Sequence, residues 1–193
     1  MSDELIAEVV RRVVREVERR EAGGGGKGDC GCSARAETAA ATPADWPPKR
    51  VAVGSDHGGV EMKDDLAEFL RRRGYEVVDC GTRGPESVDY PDFAAAVAGQ
   101  VAAGRCEAGI VIDSAGIGSA MAANKIPGIR CANCHDLPTI RNSREHNDAN
   151  VLSLGAKVVP VALARRMAAV WLETAHGGGR HLRRVQKIRE LER

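Results

Sequence analysis

The chain has 193 residues, of which 43% are hydrophobic and 28% charged, and its formal net charge is +1. This near-neutral balance and an aromatic content of 3% give no support for a nucleic-acid or membrane-surface partner. No apolar run approaches the roughly 20 residues that span a bilayer, and the first residues, MSDELIAEVVRR, are charged throughout, unlike a secretory signal. We therefore expect a cytosolic protein whose cysteines stay reduced.

Residues 1–21 have the pattern of a short amphipathic helix. Apolar side chains recur at helical spacing from Leu5 to Val17 and form one narrow stripe. A helix this short is marginal by itself, so the stripe requires a partner surface. In one interpretation the helix packs on its own domain or on a second copy of the chain. In the other, residues 2–21 bind shell proteins, since they resemble the encapsulation peptides that carry enzymes into bacterial microcompartments.

Residues 22–48 are rich in Gly, Ala and Pro, which predicts a flexible linker. The linker contains Cys30 and Cys32, but two thiols in a linker are a weak signal for a metal site. A second motif, CANCH at 131–135, matches the haem-attachment pattern, yet it falls in a predicted strand of a chain without an export signal. We expect neither a metal nor another cofactor.

From residue 49 to residue 193, strand-like and helix-like segments alternate, which we interpret as one domain. The strand-like segments are short and apolar on both faces, as in a parallel sheet covered by helices. They are RVAVGS (50–55), YEVVDC (75–80), AGIVID (108–113), GIRCANC (128–134) and NVLSLG (150–155), and the helical patterns cover about 59–73, 91–104, 117–125, 136–146, 160–175 and 181–192. This alternation predicts a three-layer α/β fold with a Rossmann- or flavodoxin-like, parallel five-stranded sheet and helices on both faces. Ligands of such folds bind at the carboxyl ends of the strands.

The first predicted strand ends in GSDHGG (54–59), which places a carboxylate and an imidazole at its carboxyl end. Asp56 and His57 are therefore candidates for binding hydroxyl or phosphate groups, and the glycines that follow let the backbone approach a ligand closely. The alternative is that Asp56 caps a helix and His57 is a surface residue. In DYPDFA (89–94), Tyr90 either donates a hydrogen bond into a pocket or only packs.

The segment DSAGIGSAMAANK (113–125) leads from the third predicted strand into a helical pattern. Small residues at Gly116, Gly118 and Ser119 expose backbone N–H groups at a helix start, where an anion is favoured. The third glycine of a dinucleotide fingerprint is absent, and no lysine follows the glycines directly. We therefore do not expect a nucleotide cofactor.

Polar residues are dense in SREHND (143–148), directly before the last predicted strand. We interpret His146 and Asn147 there as site residues rather than as solvated surface. Near the carboxyl terminus, Arg180 and Arg184 stand four residues apart, on one face of a predicted helix. Two guanidinium groups so placed suit a phosphate, while the alternative is a basic helix end that balances the helix dipole.

Seven motifs together resemble the ribose-5-phosphate isomerase B family, which includes the galactose-6-phosphate isomerase subunits. They are GSDHGG, DYPDFA, GIGSAMAANK, PGIR, CHD, SREHNDANVLSLG and GGRH, between about residues 49 and 190. The resemblance implies a metal-independent isomerase that converts an aldose phosphate, ribose 5-phosphate first of all, to the ketose phosphate through a cis-enediolate. It also implies a homodimer whose active sites take residues from both protomers. Two alternatives stay open: an isomerase of another pentose or hexose phosphate, and a homologue that binds sugar phosphates without catalysis.

The resemblance also assigns roles to residues. Opening of the sugar ring falls to His146, and stabilisation of the enediolate falls to backbone N–H groups from Gly116 to Ser119. The residues expected to contact the substrate are Asp56 for the sugar hydroxyls, His57, Arg180 and Arg184 for the phosphate, and Tyr90 and Asn147 for the pocket wall.

The sequence departs from the family at the catalytic base. Many members carry a Cys–Gly–Thr–Gly run, whose cysteine moves the proton between C1 and C2, where this chain has Asp113–Ser114–Ala115–Gly116. We predict Asp113 as the replacement base, acting with Ser114 and His146, because burial can raise the pKa of a carboxyl group toward the useful range. The alternative is that Asp113 or Ser114 caps the following helix or binds a substrate hydroxyl.

Overall fold

Five parallel strands form one sheet at the centre of the computed structural model, which describes residues 46–192. The strands are β1 (Arg50–Ser55), β2 (Glu76–Asp79), β3 (Ala108–Asp113), β4 (Cys131–Asn133) and β5 (Val151–Gly155). They lie in the order β2–β1–β3–β5–β4. The predicted parallel five-stranded sheet is confirmed, with the last two strands exchanged relative to the flavodoxin order.

Between residues 46 and 192 the chain forms six α-helices, and the first five of them cover the two faces of this sheet. They are α1 (Val60–Arg72), α2 (Tyr90–Ala102), α3 (Ile117–Ala123), α4 (Leu137–Glu145), α5 (Val161–Glu173) and α6 (Arg180–Arg189). Helices α1, α4 and α5 pack on one face, and α2 and α3 pack on the other. This division follows from the right-handed connections between parallel strands. Helices α1 and α4 lie in connections that run one way across the sheet, α2 and α3 lie in connections that run the other way, and the two directions place helices on opposite faces.

Each face of the sheet has its own apolar core. Side chains alternate along β1, so that Val51 and Val53 join the core under α1 and α5, while Ala52 joins the core under α2. Strands β3 and β5 are buried along their whole length. Burial on both faces explains why the sequence shows short, nearly continuous apolar runs rather than an alternation of apolar and polar residues.

The predicted elements agree with the observed ones to within three residues at each end, and the strand that differs most from its prediction is β4. This strand has three residues, Cys131–Asn133, instead of the seven predicted at 128–134. Gly128 has a φ of +82°, and the Ile129 N–H donates to the carbonyl of Ile126, so the chain is still turning where the strand was predicted. Cys134 and His135 follow the strand rather than belonging to it.

The folded domain extends further toward the amino terminus than the boundary predicted at residue 49. Trp46 packs edge-to-face against Trp171, with ring centroids 5.6 Å apart, and Pro48 is buried. Residues 46–48 therefore belong to the domain and not to the linker. The amino-acid composition predicted a linker here because a single tryptophan hardly changes the composition of a stretch that is rich in Pro and Ala. The predicted helix at 1–21 and the rest of the linker, with Cys30 and Cys32, lie outside the described residues.

Between residues 46 and 192, no helix is long and apolar enough to cross a membrane.

Candidate active site

The crevice between β1 and β3 is the point where the strand order reverses. From β1 the chain moves outward to β2, and it then crosses back so that β3 lies on the other side of β1. In open α/β sheets, ligands bind at the carboxyl ends of the strands at such a point. Ser55 of β1 pairs with Ile112 of β3, so that Asp56 and Asp113 follow in neighbouring positions at this edge.

Asp56 is a buried carboxylate that caps a short 3-10 helix, His57–Gly59. The residue is 7% exposed, and its Oδ1 accepts a hydrogen bond of 3.0 Å from the N–H of Gly58. Burial raises the pKa of Asp56 above its ordinary value, and the negative charge of Asp113 adds to this increase. The capping role that the sequence left open is therefore present, together with a carboxyl group that binds a proton more readily than an exposed aspartate does.

Asp113 is also buried, but its surroundings favour the charged form. Its carboxylate accepts hydrogen bonds from the N–H groups of Ala115 at 2.7 Å, of Gly116, and of Ser119 at 3.0 Å. Burial by itself would raise the pKa of Asp113, but the hydrogen bonds from Ser119, Gly116 and Ala115 outweigh it, and the pKa is lowered. This is the geometry of the capping alternative, and a lowered pKa makes a carboxylate a weaker base.

The expected anion hole is altered by the same contacts. The N–H groups of Gly116 and Ser119, which were expected to face the enediolate, donate to the Asp113 carboxylate instead. The sequence could not show this, because it depends on how far a carboxylate reaches into the loop. Among the described residues, the N–H groups of Ile117 and Gly118 have no protein acceptor at this helix start. They are the donors left for a ligand.

The lowered pKa of Asp113 leads to a prediction about acid stability. In the unfolded chain the pKa of this carboxyl group has its ordinary value of 3.8, and in the folded protein it is lower. The ionised group therefore stabilises the fold fully at pH values above 3.8. This stabilisation is lost as the pH falls through the pKa of the folded state. We expect Asp113→Asn to lower the free energy of unfolding by about 1–3 kcal/mol at pH 7, since its amide N–H₂ cannot accept from Ser119. The difference in the free energy of unfolding between this variant and the wild type should become smaller below pH ~3.8. Urea unfolding between pH 3 and 7 measures it, and a difference that does not change with pH would contradict the ionised cap.

His57 is held in one tautomer by the loop after β2. The N–H of Val88 donates to Nδ1 of His57 at 3.2 Å, so Nδ1 is an acceptor and the ring proton resides on Nε2. The loop itself is anchored by Lys63, a completely buried lysine whose Nζ lies 2.8 Å from Asp79 Oδ2. The half-exposed His57 ring therefore presents an N–H donor, which suits a phosphate or hydroxyl oxygen.

Ser114 and Tyr90 complete the cluster at this edge. A Cβ atom added to Gly58 would lie 2.6 Å from Ser114 Oγ, so the hydroxyl lies directly beside the Asp56 turn. A Cβ added to Gly118 would lie 2.6 Å from the Tyr90 ring, which covers the start of α3. We call Asp56, His57, Tyr90, Asp113, Ser114 and the segment Gly116–Ser119 the carboxyl-edge group. The structure brings all of these predicted residues together.

The remaining predicted residues form a second cluster. His146 follows α4, and its ring stacks on that of His181 with centroids 4.2 Å apart. Nδ1 of His146 lies 2.8 Å from Asn142 Nδ2. We call His146, Asn147, Arg180 and Arg184 the amino-edge group. The imidazole stack, which no sequence pattern signalled, fixes the start of α6 against the end of α4.

The carboxyl-edge group lies at the carboxyl ends of the strands, and the amino-edge group lies at their amino ends. Helix α4 starts after the carboxyl end of β4 and runs antiparallel to the strands, so His146 lies next to the amino end of β5. A strand of five residues spans about 16 Å. One chain therefore does not bring His146 and Asp56 together, although the resemblance places both in one active site.

Lys157 was missed by the sequence analysis. Its N–H donates to the carbonyl of Ser114 at 3.0 Å, which places this exposed residue at the carboxyl edge, two positions after β5. The available signal was a basic residue just beyond a predicted strand end, where ligands of α/β folds bind.

A groove of about 600 Å³ opens beside the edge strand β4. Of the predicted site residues only Asn147 lines it, and apolar Ile129 and Ile188 contribute to its wall. Between residues 46 and 192, no cluster of three or more His, Cys, Asp or Glu side chains could hold a metal ion.

Comparison with known proteins gives consistent matches over the described domain. A family model described as "Ribose/Galactose Isomerase" matches residues 51–188. Ribose-5-phosphate isomerase B of Escherichia coli is 42% identical over 144 residues, which is 75% of this chain and 97% of the relative. The structure of ribose-5-phosphate isomerase B from Clostridium thermocellum matches with a TM-score of 0.73 and 53% identity, covering 74% of this chain and 97% of that one. The type B enzyme of Trypanosoma cruzi matches with a TM-score of 0.72 and 42% identity, over the same shares.

Proposed function

Since the chain belongs to the ribose/galactose isomerase family, we propose that it interconverts ribose 5-phosphate and ribulose 5-phosphate. The chain spans nearly the whole length of its relatives, so the general activity is that of a sugar-phosphate isomerase. The identity of the catalytic base is inferred from one feature of this site. Two adjacent carboxylates, Asp56 and Asp113, have pKa values displaced in opposite directions. In such a pair, the carboxyl group with the raised pKa can exchange protons, while the one with the lowered pKa stays charged.

In this proposal Asp56, and not Asp113, transfers the proton. Asp56 takes the proton from C2 of the open-chain aldose phosphate, which leaves a cis-enediolate, and returns it to C1 while a proton moves from O2 to O1. A raised pKa brings Asp56 closer to neutral pH and makes it the stronger base of the two. Asp113, held ionised by three N–H groups, shapes the loop, and its charge adds to the increase in the pKa of Asp56 that burial mainly causes.

The negative charge of the enediolate requires donors nearby. The N–H groups of Ile117 and Gly118 are available, and the hydroxyl of Ser114 lies beside Gly58 next to Asp56. Donors fixed before the reaction lower its barrier without reorganisation. Nε2–H of His57 and the Lys157 ammonium supply further polar contacts at the same edge, which suits a substrate that carries a phosphate.

We propose that a second copy of the chain completes each site. His146 for ring opening, and Arg180 and Arg184 for the phosphate, would come from the partner, because within one chain they lie at the opposite edge of the sheet. Exposed apolar side chains support this arrangement. Ile117 lies within the carboxyl-edge group and Met121 follows it on α3, while Leu182 and Ile188 lie on α6, the helix that carries Arg180 and Arg184. A twofold axis that joins these two surfaces buries both and forms two equal sites.

We also propose that residues 2–21 direct the enzyme into a microcompartment in the cytoplasm. The support is the amphipathic pattern of those residues and the long small-residue linker, which together leave the isomerase domain free to fold by itself.

The substrate assignment is tested by incubating the full-length chain with ribose 5-phosphate and following ribulose 5-phosphate by NMR. We expect turnover of at least roughly 1 s⁻¹, within the usual range of enzymes. A panel of other pentose and hexose phosphates identifies the alternative substrates. Thermal stabilisation by ribose 5-phosphate without turnover of any sugar in the panel would favour a homologue that only binds sugar phosphates.

A further inference from the structure

Trp46 lies outside the part of the chain that matches the family, which begins at residue 51, yet it packs into the domain. Its ring covers the guanidinium of Arg144, whose Cζ lies 3.4 Å from the ring centroid. Its indole N–H has no acceptor among residues 46–192. Trp46 is therefore held by the faces and edges of its ring alone, against Arg144 and Trp171.

Arg144 is 1% exposed, and two of its three hydrogen bonds go to the turn that follows α4. Its Nη1 donates to Asp148 Oδ1 at 3.0 Å and to the carbonyl of Ala149 at 2.7 Å, and its Nε donates to the carbonyl of Thr174 at 3.1 Å. These bonds use three of the five N–H donors of the guanidinium. All five lie in its plane, so its flat faces are left to be covered by other contacts. An indole over such a face attracts the cation and keeps water away from it.

Asp148 is in a backbone conformation that requires support. Its φ is +49°, a left-handed value that a non-glycine residue adopts at an energetic cost. Two further arginines contact its carboxylate: Arg130 at 2.9 Å and Arg189 at 3.5 Å. Arg144 and Asp148 thus bracket His146 and Asn147, the two residues of this turn that belong to the amino-edge group.

We propose that Trp46 is a positioning residue for His146 and Asn147, which acts by holding the Arg144–Asp148 pair that shapes their turn. The inference rests on the proposed function, since His146 and Asn147 matter for turnover only if the partner's site uses them. It concerns a residue that lies before residues 51–188, which the family model matches.

The test compares three full-length variants. Trp46→Ala removes the ring, Trp46→Phe restores an aromatic face and loses no hydrogen bond, and Val97→Ala opens a cavity in the core on the other face of the sheet. We expect Trp46→Ala to lower kcat roughly tenfold, since displacements near 1 Å at a reacting group cost up to 100-fold. KM should change much less, Trp46→Phe should recover most of kcat, and Val97→Ala should lower Tm while keeping kcat.

A second readout does not depend on turnover. NMR signals of the His146 ring, assigned by their loss in His146→Ala, report its stacking on His181. We expect them to shift or broaden in Trp46→Ala and to stay in place in Val97→Ala. If Trp46→Ala leaves these signals unchanged, or lowers kcat no more than Val97→Ala does, the proposal is wrong. If the wild type does not isomerise but the signals move as expected, Trp46 still positions the turn and the proposed function fails instead.

Discussion

Asp56→Asn is expected to stop exchange of the C2 proton of ribose 5-phosphate with solvent. An amide cannot accept this proton, and loss of a general base lowers the rate by roughly 10²–10⁴-fold. The substitution keeps the shape of the side chain, and its carbonyl oxygen can still accept from Gly58, so the 3-10 helix and substrate binding should survive. The measurement is incubation with ribose 5-phosphate in D₂O, followed by the C2–H signal in ¹H NMR.

Asp113→Asn is the matched control for this experiment. It removes a carboxylate from the same edge, but we expect mainly a loss of stability, with exchange at C2 still measurable. The pKa of Asp56 falls when the neighbouring charge is removed, so a moderate decrease in rate is consistent with the proposal. The opposite ranking, with exchange retained in Asp56→Asn and abolished in Asp113→Asn, would assign the base to Asp113.

Two inactive variants are expected to restore activity when they form one dimer. In a hybrid of Asp56→Asn and His146→Ala subunits, one of the two sites combines an intact carboxyl-edge group with an intact amino-edge group. The other site carries both changes. Hybrids purified through two different affinity tags should therefore have about half the wild-type activity, whereas each variant alone should have almost none.

The control hybrid joins Asp56→Asn with His57→Ala. Both residues belong to the carboxyl-edge group, so each site of that hybrid has one altered residue and no activity should return. If the hybrid of Asp56→Asn and His146→Ala is as inactive as its parents, the sites are not shared between protomers.

The fold class could be predicted from the sequence because each strand and helix is indicated by the pattern of apolar residues within its own segment. Runs such as AGIVID at 108–113 are buried on both faces and read directly as strands of a parallel sheet. The exchange of β4 and β5 was not predictable, since strand order depends on contacts between distant segments.

The site was predicted less completely than the fold. Asp56, His57 and Tyr90 do meet at one edge, and their roles there stay predictions. The role of Asp113 could not be decided from sequence, because it depends on whether loop N–H groups reach its carboxylate. Trp46 looked like part of a linker because its partner, Arg144, is 98 positions away in the chain.

The strand order also has a consequence for biosynthesis. Strand β4 pairs with β5 and with no other described strand, and β5 lies between it and β3. As the chain leaves the ribosome, β1, β2 and β3 can pair in the order of their synthesis, but β4 has no neighbour until residue 155 has emerged. The last part of the sheet therefore closes as one β4–α4–β5 unit, late in translation. Because the turn that carries His146 and Asn147 lies inside that unit, these two residues of the amino-edge group are placed only when the unit closes, and Arg180 and Arg184 on α6 follow later in the chain.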